Sequence, residues 1–261
     1  MNITVFASSS RGNCALIQGG GARVLLDAGI SARRIMRFTQ EATGSDEAPD
    51  AIVLTHEHSD HISGLAVLCR KISVPIYAPG SVVRFLSRTV PGVAPCLRVL
   101  PPETPLAINN LKITAFPTPH DSLESYGYRW EAEGSVFVSA TDTGCVTDTM
   151  RAYFHGADAA LMEANHDVVM LREGSYPPAL KRRILSDRGH LSNDVCAAWA
   201  AELARDGTGV LLLGHLSPRN NTPGTARRAV EAALRKAALS ARIYVAPELG
   251  PLSLEVPSCS V

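Results

Sequence analysis

Three of the eight histidines in this 261-residue chain fall within six positions, in the run Thr55-His56-Glu57-His58-Ser59-Asp60-His61. Imidazole and carboxylate are the nitrogen and oxygen donors that hold zinc, manganese or iron. The apolar stretch Ala51–Thr55 reads as a buried strand. His56 and His58 alternate at its end, so both rings leave the same side of the backbone. Asp60 and His61 follow at the turn into the next element and can serve a neighbouring position. Two adjacent donor groups are what a pair of divalent cations roughly 3.5–4 Å apart requires. The chemistry of such a pair is hydrolysis, because it stabilises hydroxide near neutral pH and neutralises charge on the oxygens of the bond under attack. The alternative is a polar turn rich in histidine by chance. A strand running straight into the donors, with an apolar helix after them, argues against it.

Those donors have to be rooted in rigid elements. The first sixty residues read as strands, Ile3–Ala7, Cys14–Gln18 and Arg23–Asp27, broken by Ser8-Ser9-Ser10-Arg11-Gly12 and Gly19-Gly20-Gly21. A helix is predicted from Ser31, whose hydroxyl can cap it, then a polar, mobile loop over Glu41–Asp50 and a helix over Ile62–Ile72. Paired β-runs fall at Leu106–Phe116 and Gly127–Ser139. The second half alternates helices (Thr147–Phe154, Pro178–Leu185, Asn193–Ala204, Thr222–Ala238) with strands (Ala157–Met162, Val210–Leu213, Arg242–Val245). Strands first and alternation after them predict an α/β fold, two sheets sandwiched between helices, in one domain spanning 1–261. Pro257–Val261 reads as a frayed tail.

Composition bounds the function. Lys+Arg and Asp+Glu are both 25, which excludes a protein that coats nucleic acid by bulk charge but leaves a local basic patch open. The six cysteines are scattered with no C-x-x-C pair, as expected of free thiols in a reducing compartment. The start of the chain lacks the pattern of a signal peptide, and no apolar run reaches the length of a membrane helix. A cytoplasmic enzyme without a membrane partner is the expectation.

The histidine run matches the H-x-H-x-D-H pattern and resembles metallo-β-lactamase-fold hydrolases. That resemblance implies a metallo-β-lactamase fold, a four-layer αββα sandwich with two mixed β-sheets, holding two divalent metal ions per chain (Zn, Mn or Fe). It also implies the rest of a ligand set: His120 in Thr118-Pro119-His120-Asp121, Asp142 in Thr141-Asp142-Thr143-Gly144 as a bridging carboxylate, and His215 in Leu213-Gly214-His215-Leu216-Ser217. One metal would take His56, His58, His120 and Asp142, the other Asp60, His61, Asp142 and His215. Asp27, closing Val24-Leu25-Leu26, matches the family's early aspartate and is expected to orient ligands rather than bind metal.

A fold does not choose a substrate. His190, in Arg188-Gly189-His190-Leu191-Ser192, resembles the extra histidine that phosphodiesterase members set across from the metals, and with Asp60 it is the expected catalytic group. From Arg172 to His190 five basic residues accompany two acids. Lys181 and Arg188 within that stretch, and Arg219 with Asn220 just after His215, are expected phosphate contacts. Basic clusters on helices are often only solvated faces, so this signal alone is weak. His166 follows a strand and reads either as a lining of the cleft that touches substrate or as a structural residue; Glu163 and Asp167 share that ambiguity. Asp142 and His215 are 73 positions apart, too few for the large inserted domain of β-CASP RNA nucleases.

Four segments together look like the YycJ/WalJ-like subfamily: Ser8–Cys14, Met162–Asp167, Gly189–Asn193 and Gly214–Asn221. The likeness implies a nucleic acid substrate and a DNA exonuclease working 5′ to 3′ through a hydroxide bridging two metals. It also implies a link to a cell-wall signalling operon. The alternatives are a thioester or other small-ester hydrolase of the glyoxalase II type and a small-molecule phosphodiesterase. The metal, DNA against RNA, and a homo-oligomeric state are left open by the sequence.

Overall fold

In the computed structural model, which describes residues 1–257, apolar runs of three to eight residues pair into two seven-stranded sheets. The first sheet takes β1 (Asn2–Ser9), β2 (Gly12–Gly19), β3 (Ala22–Leu26), β4 (Ala51–Val53), β5 (Ile76–Ala78) and β6 (Leu97–Val99). The second takes β7 (Pro105–Ile108), β8 (Leu111–Pro117), β9 (Tyr126–Ala132), β10 (Ser135–Ala140), β11 (Ala159–Glu163), β12 (Val210–Gly214) and β13 (Arg242–Val245). The last strand, β14 (Leu252–Glu255), returns to pair with β1. Both sheets are mixed: β1–β3 and β7–β10 are antiparallel, while β3–β6 and β10–β13 run parallel.

Helices cover both outer faces. α1 (Ala32–Thr43), α2 (Ser59–Ile62), α3 (Leu65–Leu68) and α4 (Gly80–Thr89) follow strands of the first sheet. α5 (Asp148–Phe154), α6 (Val168–Glu173), α7 (Pro178–Ile184), α8 (Asn193–Arg205) and α9 (Pro223–Lys236) follow strands of the second. Three apolar layers result. Ile3, Val24, Tyr128, Trp130 and Leu212 fill the space between the sheets. Leu16, Leu25 and Ile52 meet Ile35, Leu68 and Leu86 on one outer face, and Val138, Leu211 and Leu213 meet Phe154, Trp199 and Val230 on the other. In β12 all five residues are buried, even numbers facing one apolar layer and odd numbers the other. A parallel strand covered on both faces has to be a continuous apolar run for this reason. Full burial of each such Leu or Val is worth about 1.5–3 kcal/mol. The layers are the expected αββα sandwich.

The connections depart from expectation in instructive places. The single helix expected over Ile62–Ile72 is two one-turn pieces, α2 and α3, parted at Ser63-Gly64. Gly64 donates its N–H to the Ala28 carbonyl at 2.8 Å, and a Cβ there would lie 2.0 Å from the Ile30 carbonyl oxygen. The chain breaks its helix to let that backbone pass. Glu41–Thr43 belong to α1 rather than to the expected loop, and Gly44 ends the helix in the left-handed region (φ 69°). Ser31 stands at the N-cap of α1 but its hydroxyl makes no cap bond. The break between β1 and β2 is only Ser10-Arg11. The described cysteines are free thiols; Cys259 and all of the expected tail after Pro257 lie outside the described residues. No helix among the described residues is long and apolar enough to cross a membrane.

Candidate metal centre

β3, β4, β8, β10, β11 and β12 deliver their C-terminal ends to one edge of the sandwich, and Asp27, His56, His120, Asp142, Glu163 and His215 stand at or just beyond those ends. Open α/β sheets carry ligand sites at this edge because rigid strands root the loops there. Three of these residues, Asp27, Asp142 and His215, hold left-handed backbone at φ 60°, 55° and 54°. The sharp turn each makes tips its side chain across the edge.

The side chains form three overlapping donor groups: His56, His58 and His120; Asp60, His61, Asp142 and His215; and Asp142, Glu163, His190 and His215, with the donor atoms of each group within 4.8 Å of one another. Nε2 of His61 is 3.2 Å from Oδ2 of Asp142, while Nε2 of His215 is 3.4 Å from Asp142 Oδ1 and 3.5 Å from Asp60 Oδ2. Asp142 thus stands between the first two groups, its Oδ1 also 3.8 Å from Nε2 of His120.

A surrounding layer fixes the rings. Asp27 accepts from the Thr55 N–H at 2.8 Å through Oδ1 and meets Nδ1 of His61 at 2.8 Å through Oδ2. Ser8 Oγ accepts from the His215 N–H at 2.8 Å, which ties β1 to the end of β12. Asn13 Nδ2 lies 3.4 Å from Asp60 Oδ2 and 3.1 Å from His61 Nε2. The serine-rich stretch near the start of the chain therefore shapes the site through Ser8 and Asn13.

The donors fit divalent cations on three observations. His56 Nε2 and Asp142 Oδ2 are buried without a hydrogen-bond partner among the described residues, an arrangement that costs free energy unless something else binds there. His58 Nδ1 and His120 Nε2 face each other at 3.3 Å. The mix of imidazole and carboxylate is that of zinc, manganese or iron sites.

Electrostatics agree with this picture. Burial, the largest influence on Asp142, favours its neutral form, but the nearby charges of His215 and His61 outweigh it and hold the carboxyl well below its usual range. Burial also works against a charged His215, yet Asp142, Asp60 and Glu163 lift its pKa to about 10. His56 moves the other way, held neutral by burial and by the charge of His61. In the absence of cations the carboxylates therefore capture protons on His61 and His215; metal binding has to displace them.

Glu163 is the group that sequence reasoning left ambiguous. Its side chain is fully buried, and Oε1 meets Nδ1 of His190 and Nδ1 of His215, each at 2.8 Å. Oε2 accepts from the N–H groups of Thr143 at 2.9 Å and Leu191 at 3.2 Å. Burial opposes its ionisation, but the charge of His190 and the bonds to both rings bring the carboxyl down to about 2. The legible signal was a carboxylate closing the otherwise apolar run Ala159–Met162.

The other expected residues separate. His190 joins the cluster, its Nδ1 3.9 Å from Asp142 Oδ1 and its side chain 15% exposed. Arg188 spends Nε and Nη2 on the His120 carbonyl, at 3.1 and 2.8 Å, and so holds the loop that carries that histidine. Lys181 donates to the Arg172 carbonyl at 2.6 Å, and Asn220 is buried against Ser217. Arg219 sits 5.8 Å from the Tyr176 ring centre. His166 is 1% exposed, with both ring nitrogens unpartnered among the described residues. Arg183, one of the five basic residues from Arg172 to His190 but not picked as a contact, pairs with Asp121, whose Oδ1 is 3.4 Å from Nε2 of His120. Arg183 spends Nε and Nη2 on that carboxylate, so it stands at the rim as an ion pair.

Two mixed sheets between helices, with histidines and carboxylates gathered at their C-terminal edge, define a metallohydrolase of the αββα class. Residues 22–216 match the model of the "Beta-lactamase superfamily domain", and the chain belongs to that superfamily. It is 37% identical to the "Exodeoxyribonuclease WalJ" of Streptococcus pneumoniae serotype 2 (strain D39) over 84% of this chain and 82% of that one. It is 34% identical to the "Exodeoxyribonuclease YycJ" of Bacillus anthracis over 90% of each. In architecture it is similar to the metallo-beta-lactamase fold protein YhfI of Bacillus subtilis, with TM-score 0.73 and 20% identity over 97% of this chain and 99% of that one.

Proposed function

We propose that this chain is a metal-dependent DNA exonuclease of the cytoplasm, hydrolysing phosphodiesters from a 5′ end. Two relatives named as exodeoxyribonucleases, alike over most of their length, support the reading. The structural observation that carries it is the His190–Glu163 pair beside Asp142. A thioester releases a thiolate, which departs without a proton, whereas the 3′ oxygen of a nucleotide is a far stronger base and needs an acid. A buried carboxylate holding a partly exposed histidine is such an acid.

His56, His58 and His120 would hold one cation, and Asp60, His61 and His215 a second, with Asp142 between them. When bound, the cations supply positive charge that activates water and neutralises the phosphate oxygens. The chain's own groups do the rest. Asp27 and Glu163 fix the rings of His61 and His215. Nε2 of His190, the nitrogen not engaged by Glu163, passes a proton to the departing 3′ oxygen, and the Glu163 carboxylate stabilises the charged ring before that transfer. Arg183 at the rim, whose Nη1 is not engaged by Asp121, would offer that donor to the strand's phosphates.

The test is to incubate metal-loaded protein with end-labelled single- and double-stranded DNA and RNA, and with a glutathione thioester. Stepwise release of nucleotides from the 5′ end of DNA is expected. Turnover of the thioester alone would overturn the proposal in favour of the small-ester reading.

A further inference from the structure

Resting on the DNA reading, we infer that the groove beside His58 seats the nucleobase next to the scissile phosphate. The groove is open and about 680 Å³ in volume, within the range of small-molecule sites. His58 and Glu57 form one end of it, so it is continuous with the first donor group. Its walls are otherwise largely apolar: Ile62 of α2, Phe85 of α4, Val90 and Leu123. Leu123 is 57% exposed, an unusual place for a leucine with nothing over it.

The walls are fixed rather than loose. Glu57 Oε1 accepts from the Leu123 N–H at 2.9 Å. Glu124 next to it accepts from the Ser81 hydroxyl and the Tyr126 hydroxyl, which joins the start of α4 to the loop before β9. The remaining oxygen of Glu57, Oε2, is buried and has no hydrogen-bond partner among the described residues. An open, largely apolar slot with a phenyl wall is complementary to a flat ring with apolar faces.

Position decides between a base and other flat rings. Arg183 and Asp121 border the centre on the His120 side, the groove on the His58 side. A nucleotide with its phosphate at the donors and its backbone leading toward Arg183 has its base directed to the groove. Stacking on aromatic or apolar side chains accepts any base, as an exonuclease that advances through every sequence requires.

The experiment compares one oligonucleotide carrying an ordinary 5′-terminal nucleotide with the same strand carrying an abasic terminus. The wild type should lose about tenfold in kcat/KM on the abasic end, the size of one stacking contact. Leu123→Ser and Phe85→Leu should each shrink that difference while leaving cleavage of the abasic end within about twofold, as expected of residues that touch no reacting atom. Leu123 is exposed, so its variant keeps the fold if the Phe85 variant does not. Equal rates on abasic and ordinary ends, or unchanged discrimination in the variants, would overturn the base site while leaving the DNA reading intact. No cleavage of either strand would overturn both.

Discussion

His190 and His215 hang from a single oxygen: each Nδ1 lies 2.8 Å from Oε1 of Glu163. With its pKa near 2, that carboxylate is ionised and can only accept, so both Nδ1 atoms carry hydrogen. The two Nε2 atoms are left for other work. His215 turns its Nε2 toward Asp60 and Asp142, whereas the contacts of His190 with Glu163 and Asp142 run through Nδ1. One buried residue thereby sets the tautomer of a metal donor and of the proposed acid.

Glu163→Gln keeps the shape but puts a donor where an acceptor is needed. Metal affinity should drop by about 10–100-fold, the usual cost of losing a partner that orients a ligand. Turnover should remain low at saturating metal, because His190 is also released. Metal titration followed by kcat at saturation separates the two effects, and unchanged values in both would remove Glu163 from the centre.

His190→Ala should leave metal content unchanged and lower kcat on DNA by about 10²–10⁴-fold, the range for a positioned acid. The loss on bis(p-nitrophenyl) phosphate should be much smaller, since p-nitrophenolate departs unaided. An equal loss on both substrates would assign His190 to phosphate binding instead of proton transfer.

Chelation should lower the thermal midpoint as well as activity, because cations bound only by the folded chain stabilise it by about 2.7 kcal/mol at a hundred times their Kd. Asp142→Ala should abolish that chelator sensitivity, as this carboxylate faces the first two donor groups. A midpoint in the variant that still responds to chelator would contradict its place between them.

Stability should fall on acidification between about pH 6.5 and 4. Burial lowers His166 to about 4 from its ordinary 6.5, so in that window the unfolded chain binds a proton that the folded one refuses. The slope approaches about 1.4 kcal/mol per pH unit for one such group. Urea midpoints at pH 7.5 and 4.5 measure it. His166→Phe should flatten the dependence, and a variant with the same slope as the wild type would show that other groups govern it.

The sandwich was legible because its strands are long and apolar: β11 and β12, buried on both faces, read as continuous hydrophobic runs with the donors just past them. What escaped was set by contacts between distant segments. β5, β6 and β14 are three or four residues each and gain their identity from neighbours in the sheet. The split between α2 and α3 depends on a carbonyl 34 positions earlier, that of Ile30 against Gly64. Lys181, Arg188 and Asn220 looked like phosphate contacts by charge and sequence position. Their hydrogen bonds go instead to the protein's own carbonyls and to a serine hydroxyl, and nothing local announced this. Glu163 was visible as an acid ending a strand, but its two partners arrive from 27 and 52 positions away.

The left-handed backbone at Asp27, Asp142 and His215 narrows what variation at this centre could tolerate. Most side chains resist that conformation, while Asp, Asn and His are the non-glycine residues found there most readily. At Asp142 chemistry and conformation thus select the same short side chain. Glutamate, which adopts this conformation elsewhere in the chain at Glu103 and Glu133, would carry the carboxylate one methylene farther from the turn; asparagine would suit the turn and forfeit the charge. Repertoires of replacement at these three positions should be poorer than donor chemistry alone allows, which makes the strand ends, rather than the cations, the conservative part of the design.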